Sequence, residues 1–326
     1  MSKVVVTGAD GFIGSHLTEA LLDAGHEVKA LVKYSSDNRL NNLTYLGEDK
    51  LSQVEIVKGD IKDPEFCNRL LNDCNVVFHL ASLISIPYSY VNPNDFLQTN
   101  IVGTVNLLNS ARRVAGLERF IHTSTSEVYG SAKYVPIDEN HPLQPQSPYS
   151  ASKMSADSFV MSYYLSFGLP VTIVRPFNTY GPRQSMRAII PKIIGNLLDD
   201  TELKLGNMHT RRDFIFVKDT VNGFISGLHD SCIGEAVNIG TGCNVSMKAL
   251  LEMIGTIAGK EPNYVVDESF VRPQKSEVSE LLCNYGKINS LTRWQPKYDL
   301  MTGLKLTVDW FREFHREHGA GQFAAL

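Results

Sequence analysis

The stretch Lys3–His26, KVVVTGADGFIGSHLTEALLDAGH, decides the fold. It opens as an unbroken apolar run of β-branched residues and breaks at a turn holding Gly8, Gly11 and Gly14. Beyond the glycines, Leu17, Ala20, Leu21 and Ala24 recur at the spacing of one helical face. Strand, glycine turn and helix in that order predict backbone N–H groups at a helix N-terminus that cradle a pyrophosphate. Glycine is needed there because a side chain would hold the phosphate off the backbone. Gly-rich turns also arise for geometric reasons alone, so the pattern draws its weight from its place at the head of an alternation of strands and helices. The spacing is GxxGxxG, and Phe12 and Ile13 inside it are expected to line the same cofactor site.

Further short apolar runs continue that alternation: EVKALV, VEIVKGD, NVVFHLA, RFIHTS and PVTIVRP. Helix-compatible segments separate them, the longest being FLQTNIVGTVNLLNSARRVAG between NVVFHLA and RFIHTS. Continuous apolar strands alternating with helices predict a doubly wound α/β fold, a parallel sheet covered on both faces. After Arg175, Pro and Gly become frequent and isolated strands such as EAVNIG appear. This predicts a dinucleotide-binding domain over 1–175 and a smaller mixed α/β substrate lobe over 176–326, with the chain returning once or twice to the main sheet.

Bulk properties narrow the function. The chain has 326 residues, 43% of them hydrophobic and 20% charged, ordinary values for a soluble globular protein. A net charge of -4 argues against a general nucleic-acid surface, which needs clustered Lys and Arg. Five cysteines without a CxxC pair predict reduced thiols, with neither a metal site nor a disulfide framework. The N-terminus enters a strand pattern directly, without a secretory signal, and AIIPKIIGNLL is too short to span a bilayer. The expectation is a cytoplasmic protein with no membrane partner.

At the end of the second strand, an acidic residue would read a free ribose 2′-hydroxyl and a basic environment a 2′-phosphate. Here Lys33 occupies that place, with Arg39 nearby and Asp37 the only acid. The charges favour NADP, with NAD as the alternative if both cations are solvated surface groups. Asp60 and Ile61, after the third strand, are placed to border the adenine; a loop-capping Asp60 is the alternative.

YSASK puts Tyr149 and Lys153 one turn apart on one face of a helix whose start is marked by Pro148. A phenol ionises near pH ~10, and a neighbouring ammonium favours the phenolate. Alone, the pair could be surface decoration. With the glycine turn and the hydroxyl cluster HTSTSEVYG in the same order along the chain, it resembles the extended short-chain dehydrogenase/reductase family of nucleotide-sugar enzymes. The resemblance covers nearly the whole chain and extends through RPFNTYGPRQ, RRDFIFVKD and VRPQKSEV.

That resemblance implies a Rossmann-like fold and a set of roles. Tyr149 would take the proton of the sugar 4-hydroxyl, Lys153 would hold the cofactor ribose and lower the Tyr149 pKa, and Thr125 would bond the 4-oxygen. Leu80, Ala81, Ser82 and Pro176 would complete the cofactor walls. Members that eliminate water resemble Thr-Asp-Glu or Thr-Ser-Glu, and this chain reads Thr125-Ser126-Glu127. Glu127 would remove the C5 proton once C4 is oxidised, and the C6 hydroxyl would leave. Ser126 stands where other members carry the acidic Asp; a water on Ser126 or the proton held by Glu127 are the two substitutes. The triplet and LVKYSS are similar to the GDP-mannose 4,6-dehydratase branch. Several stretches look most like dehydratases acting on nucleotide-linked N-acetylglucosamine in legionaminic-acid-type pathways.

The expected partner is therefore a GDP- or UDP-linked hexose. Asn178, Arg212 and Arg272 would contact the diphosphate, with Ser85 and Arg187 also on the substrate; a turn Asn and surface Arg residues are the bland alternatives. Other readings are a decarboxylase of nucleotide-linked glucuronic acid, with Arg183 or Arg187 facing the carboxylate, a 4-epimerase, and a non-catalytic cofactor-binding regulator. His79 and His122 read as satisfied core histidines, and His315 and His318 as part of a solvated helix face. The helices beginning FLQTNIVG and at Tyr149 resemble the pair that forms a homodimeric bundle in this family.

Overall fold

A computed structural model describes residues 2–36, 39–267 and 276–319. The strands, in chain order, are β1 (Lys3–Thr7), β2 (Glu27–Lys33), β3 (Glu55–Gly59), β4 (Val76–His79), β5 (Arg119–Thr123) and β6 (Val171–Pro176). Beyond them come the short β7 (Asn178–Tyr180), β8 (Leu203–Leu205), β9 (Arg211–Arg212) and β10 (Phe214–Phe216), and then β11 (Glu235–Ile239). A seven-stranded sheet runs in the order β11-β6-β5-β4-β1-β2-β3. Every pairing in it is parallel. The doubly wound parallel sheet predicted from the apolar runs is thus present.

The runs are apolar throughout because both faces are covered. Val4 and Val6 point into one core with Leu17 and Leu21 of the first helix, Phe12–Asp23. Val5 points to the other side, into a core with Leu107, Leu108 and Val160 from the helices Gly103–Ala111 and Pro148–Phe167. The two-residue period of a strand requires this alternation. Each such Val or Leu contributes about 1.5–3 kcal/mol relative to an exposed one.

Strand order reverses between β1 and β4, which opens a crevice at the carboxyl ends of the strands. Gly8 follows β1 and Leu80 follows β4, so both stand at this crevice. In the second half, β7 pairs with β10 in a small parallel sheet of its own. The chain returns once, as edge strand β11 beside β6. One core reaches from Val4 to Phe314, so the second half packs on the first without a break.

The C-terminal helix, Leu300–His318, leaves His318 exposed, as expected of a solvated face, and half-buries His315. His315 bonds Asp199 at 2.9 Å, and His318 stacks on Phe314 with ring centroids 4.2 Å apart. Charged neighbours hid this, because the helix buries only the stripe that includes Phe311 and Phe314. All five cysteines are free thiols. Among the described residues, no helix is long and apolar enough to cross a membrane.

Candidate active site

The glycine turn leaves room where a dinucleotide would lie. Gly8 has φ +69°, and a Cβ on it would come within 2.9 Å of the Ala81 nitrogen. A Cβ on Gly14 would overlap the Gly8 carbonyl oxygen, so turn and helix can approach only without side chains. The helix N-terminus at Gly11 has no side-chain cap and no acidic residue in its first turn. Its N–H groups therefore carry a partial positive charge that suits a phosphate. Thr7 Oγ1 accepts from the Leu80 and Ala81 nitrogens, each at 3.1 Å, tying the ends of β1 and β4 together. These residues fit a bound dinucleotide, with Phe12, Ile13, Leu80, Ala81 and Ser82 around the turn.

At the end of β2, Lys33 and Arg39 are both exposed; Asp37 lies outside the described residues. Asp60 caps its own loop by accepting from the Lys62 nitrogen at 2.9 Å, the alternative role expected of it. Ile61 is buried against Gly103, where a Cβ would meet its side chain at 2.6 Å. Pro176 is buried at the end of β6.

The helix Pro148–Phe167 carries the catalytic candidates, and its start is built locally. Ser147 and Ser150 form a reciprocal capping box around Pro148, and Gly168 closes the other end in the left-handed conformation. Tyr149 packs with Ile86 and Phe96, and Lys153 is 2% exposed. Burial pushes the Tyr149 phenol up; a hydrogen bond with Thr125 opposes this, and the charges of Glu127 and Asp157 add to it. Burial lowers Lys153 to about 8, against the pull of Asp157.

Thr125 caps the short turn Ser126–Tyr129 by accepting from the Glu127 nitrogen at 3.2 Å. One hydroxyl thus holds the Glu127 backbone and meets the Tyr149 phenol. Ser126 is 3% exposed, within this turn. Thr125, Ser126, Glu127, Tyr149 and Lys153 consequently stand together at the carboxyl ends of the strands.

The substrate candidates divide. Asn178 Oδ1 is buried without a hydrogen-bond partner, an acceptor awaiting a donor. Arg212 is 7% exposed, with Glu277 at 3.7 Å and the Arg211 carbonyl accepting at 3.0 Å. Ser85 caps the helix Ile86–Val91, and Arg187 is exposed. Arg183 is held by Glu19 on the first helix at 2.8 Å and by the Tyr45 carbonyl at 3.3 Å. Both contacts use Nη2, and Nη1 is buried without a hydrogen-bond partner. Arg272 lies outside the described residues.

Two features were not legible in the sequence. Asn100, 1% exposed, donates to Ser152 Oγ at 2.9 Å and to the Leu83 carbonyl, and accepts from the Leu83 nitrogen. It sits in a π-helical segment, Leu97–Val102, directly before the helix Gly103–Ala111. The second concerns the histidines. His79 is satisfied as expected, by Thr7 and Thr104 at 2.9 Å each. His122 is not, for neither ring nitrogen has a hydrogen-bond partner and Nε2 lies 3.4 Å from Asp157 Oδ1. Burial and the Lys153 charge lower His122 to about 4. The available signal was the spacing of Lys153 and Asp157, one helical turn apart.

Comparison with known proteins finds similarity to nucleotide-sugar dehydratases and epimerases. The family model for GDP-mannose 4,6 dehydratase matches residues 5–307. A dTDP-D-glucose 4,6-dehydratase of Mus musculus is 34% identical over 96% of this chain and 90% of the mouse protein. A putative UDP-glucose 4-epimerase of Methanocaldococcus jannaschii is 31% identical over 96% of this chain and 99% of its own length. Among solved structures, a doubly mutated dTDP-glucose 4,6-dehydratase of Streptomyces venezuelae with NAD bound superposes with TM-score 0.87 at 31% identity, covering 96% of this chain and 98% of the other. A UDP-glucuronic acid 4-epimerase of Bacillus cereus, in complex with UDP-glucuronic acid and NAD, gives TM-score 0.87 at 29% identity, covering 96% and 99%.

Proposed function

The chain belongs to the GDP-mannose 4,6 dehydratase family of nucleotide-sugar dehydratases and epimerases, and from that premise we propose that it is a 4,6-dehydratase acting on GDP- or UDP-linked N-acetylglucosamine. The observation that carries the reading is Glu127, a carboxylate set on the Thr125 turn close enough for its charge to act on Tyr149. An epimerase, which only needs the sugar to rotate between oxidation and reduction, has no use for a second base at that place.

A nicotinamide dinucleotide bound at the glycine turn supplies the acceptor for the C4 hydride and its later return to C6. The protein residues do the rest. Tyr149 takes the proton of the 4-hydroxyl, with Thr125 bonding the same oxygen and Lys153 favouring the phenolate. The 4-ketone acidifies the C5 proton, Glu127 removes it, and the C6 hydroxyl departs as water. Its proton comes from a water on Ser126 or from Glu127 itself. C5 regains a proton as the hydride returns to C6, so that the two protons taken by Tyr149 and Glu127 leave in the water and on C5. Asn178 and Arg212 bind the diphosphate, where a guanidinium can hold two oxygens at once. Lys33 and Arg39 make the end of β2 basic and favour NADP; the solved dehydratase and epimerase relatives carry NAD, the alternative.

The second reading is a 4-epimerase, favoured by the epimerases among the relatives. For a decarboxylase, Arg183 is engaged by Glu19 while Arg187 is exposed, so Arg187 is the cation that reading would use. The protein is also read as a homodimer, with Leu97, Phe159, Leu165 and Phe167 left exposed on the paired helices for a second copy. Mass spectrometry of the protein incubated with UDP- and GDP-linked N-acetylglucosamine, mannose, glucose and glucuronic acid tests the function. Loss of one water from an N-acetylglucosamine derivative is expected. Loss of carbon dioxide from a glucuronic acid derivative, or isomerisation without mass change, would replace the reading.

A further inference from the structure

We propose that Asp157 is a positioning residue for the catalytic pair, its carboxylate shared between Arg175 and Lys153 so that Lys153 stays an ammonium beside Tyr149. The inference rests on the catalytic roles proposed for Tyr149 and Lys153.

Asp157 follows Lys153 by one turn on the same helix face and is 3% exposed. Its two oxygens are used differently. Oδ2 accepts from Ser124 Oγ at 2.8 Å and from Arg175 Nε and Nη2 at 3.1 and 3.0 Å. Oδ1 has no hydrogen-bond partner, only His122 Nε2 at 3.4 Å. Arg175 is fixed from behind, donating Nη1 to the Tyr129 hydroxyl at 3.0 Å, which donates to Asn238 on β11 at 2.7 Å. One carboxylate oxygen is thus locked to the sheet and the other is left without a bond in a buried site. A buried anionic oxygen without a donor is costly unless a nearby cation offsets it.

The charged and titratable groups around the pair come from every element packed there. Tyr149 shares the helix of Lys153 and Asp157; His79 lies on β4, His122 on β5, Glu127 on the turn after β5, and Arg175 on β6. Neither histidine adds a cation at neutral pH, since burial first and the Lys153 charge as well lower both. Arg175 is already engaged by Asp157 and Tyr129. Lys153, taken down by burial from its ordinary 10.5 to about 8, is held up by Asp157.

Between about pH 8 and 10.5 the unfolded chain binds more protons at Lys153 than the folded one, so this group makes stability rise with pH across that window. Two curves are measured for wild type, Asp157→Asn and Arg175→Gln: unfolding free energy of the cofactor-free protein against pH, and kcat/KM against pH. In Asp157→Asn, the onset of the stability rise and the alkaline limb of kcat/KM should both move to lower pH by about one unit. In Arg175→Gln the guanidinium no longer competes with Lys153 for the carboxylate, and both should move to higher pH. Uniform loss of stability or activity with both limbs unmoved would mean that Asp157 merely packs, and would overturn the proposal. Where Asp157→Asn does not fold, the Arg175→Gln curves decide alone, an unmoved onset counting against the proposal. A wild type without turnover on any nucleotide sugar would sink the catalytic reading, while the stability curves still judge Asp157 and Lys153.

Discussion

Glu127, the proposed base, is by position a residue of the turn after β5. It follows two small hydroxyl residues, and its position depends on Thr125 accepting from its backbone nitrogen at 3.2 Å. The same Thr125 meets Tyr149, so the two groups proposed to handle protons are set by one side chain. Glu127→Gln should lower kcat for water elimination by about 10²–10⁴-fold and leave nucleotide-sugar binding largely intact. Turnover and calorimetric binding with the same sugar check this; a variant with wild-type turnover would remove Glu127 from the chemistry. The glutamate and the tyrosine were legible in sequence because they fall in short contiguous motifs. His122, Asp157 and Arg175 were not, because they come from three elements and meet only in the folded core.

At the scale of the element, the helix Pro148–Phe167 is defined by its ends more than by an apolar stripe. Its buried face mixes Tyr149, Lys153 and Asp157 with Ala156 and Val160, so amphipathic patterning is weak. What starts it is the Ser147–Ser150 box, and what stops it is Gly168. Ser147→Ala should cost about 1 kcal/mol of stability, measured by denaturant unfolding. Because Tyr149 lies in the first turn, kcat should fall more than that loss of folded protein accounts for. Equal losses in both would show that the cap serves folding alone. Pro148 marked this start in sequence, whereas the π-helical Leu97–Val102 carried no local mark, since its geometry answers to Asn100 meeting Leu83 and Ser152.

At the scale of the molecule, large apolar side chains stand exposed on the paired helices. Leu165 and Phe167 are 75% and 52% exposed, with Phe159 and Leu97 nearly half exposed, on helices that otherwise pack the sheet. A second copy packed isologously on these helices would cover part of them. Phe159→Glu should convert a dimer to monomers in sedimentation velocity at micromolar concentration; an unchanged mass would place the assembly elsewhere. The sequence by itself determined the strand-turn-helix opening, the parallel sheet, and the order of glycine turn, Thr125-Ser126-Glu127 and Tyr149/Lys153. Those are local or periodic features, written in neighbouring residues and in the burial of both faces of a strand. Tertiary structure alone decided that Arg183 braces the first helix, that Asn178 keeps an open acceptor, and that Asp157 meets Arg175 and Ser124. Each depends on distances between chain segments far apart in sequence, which only tertiary packing brings together.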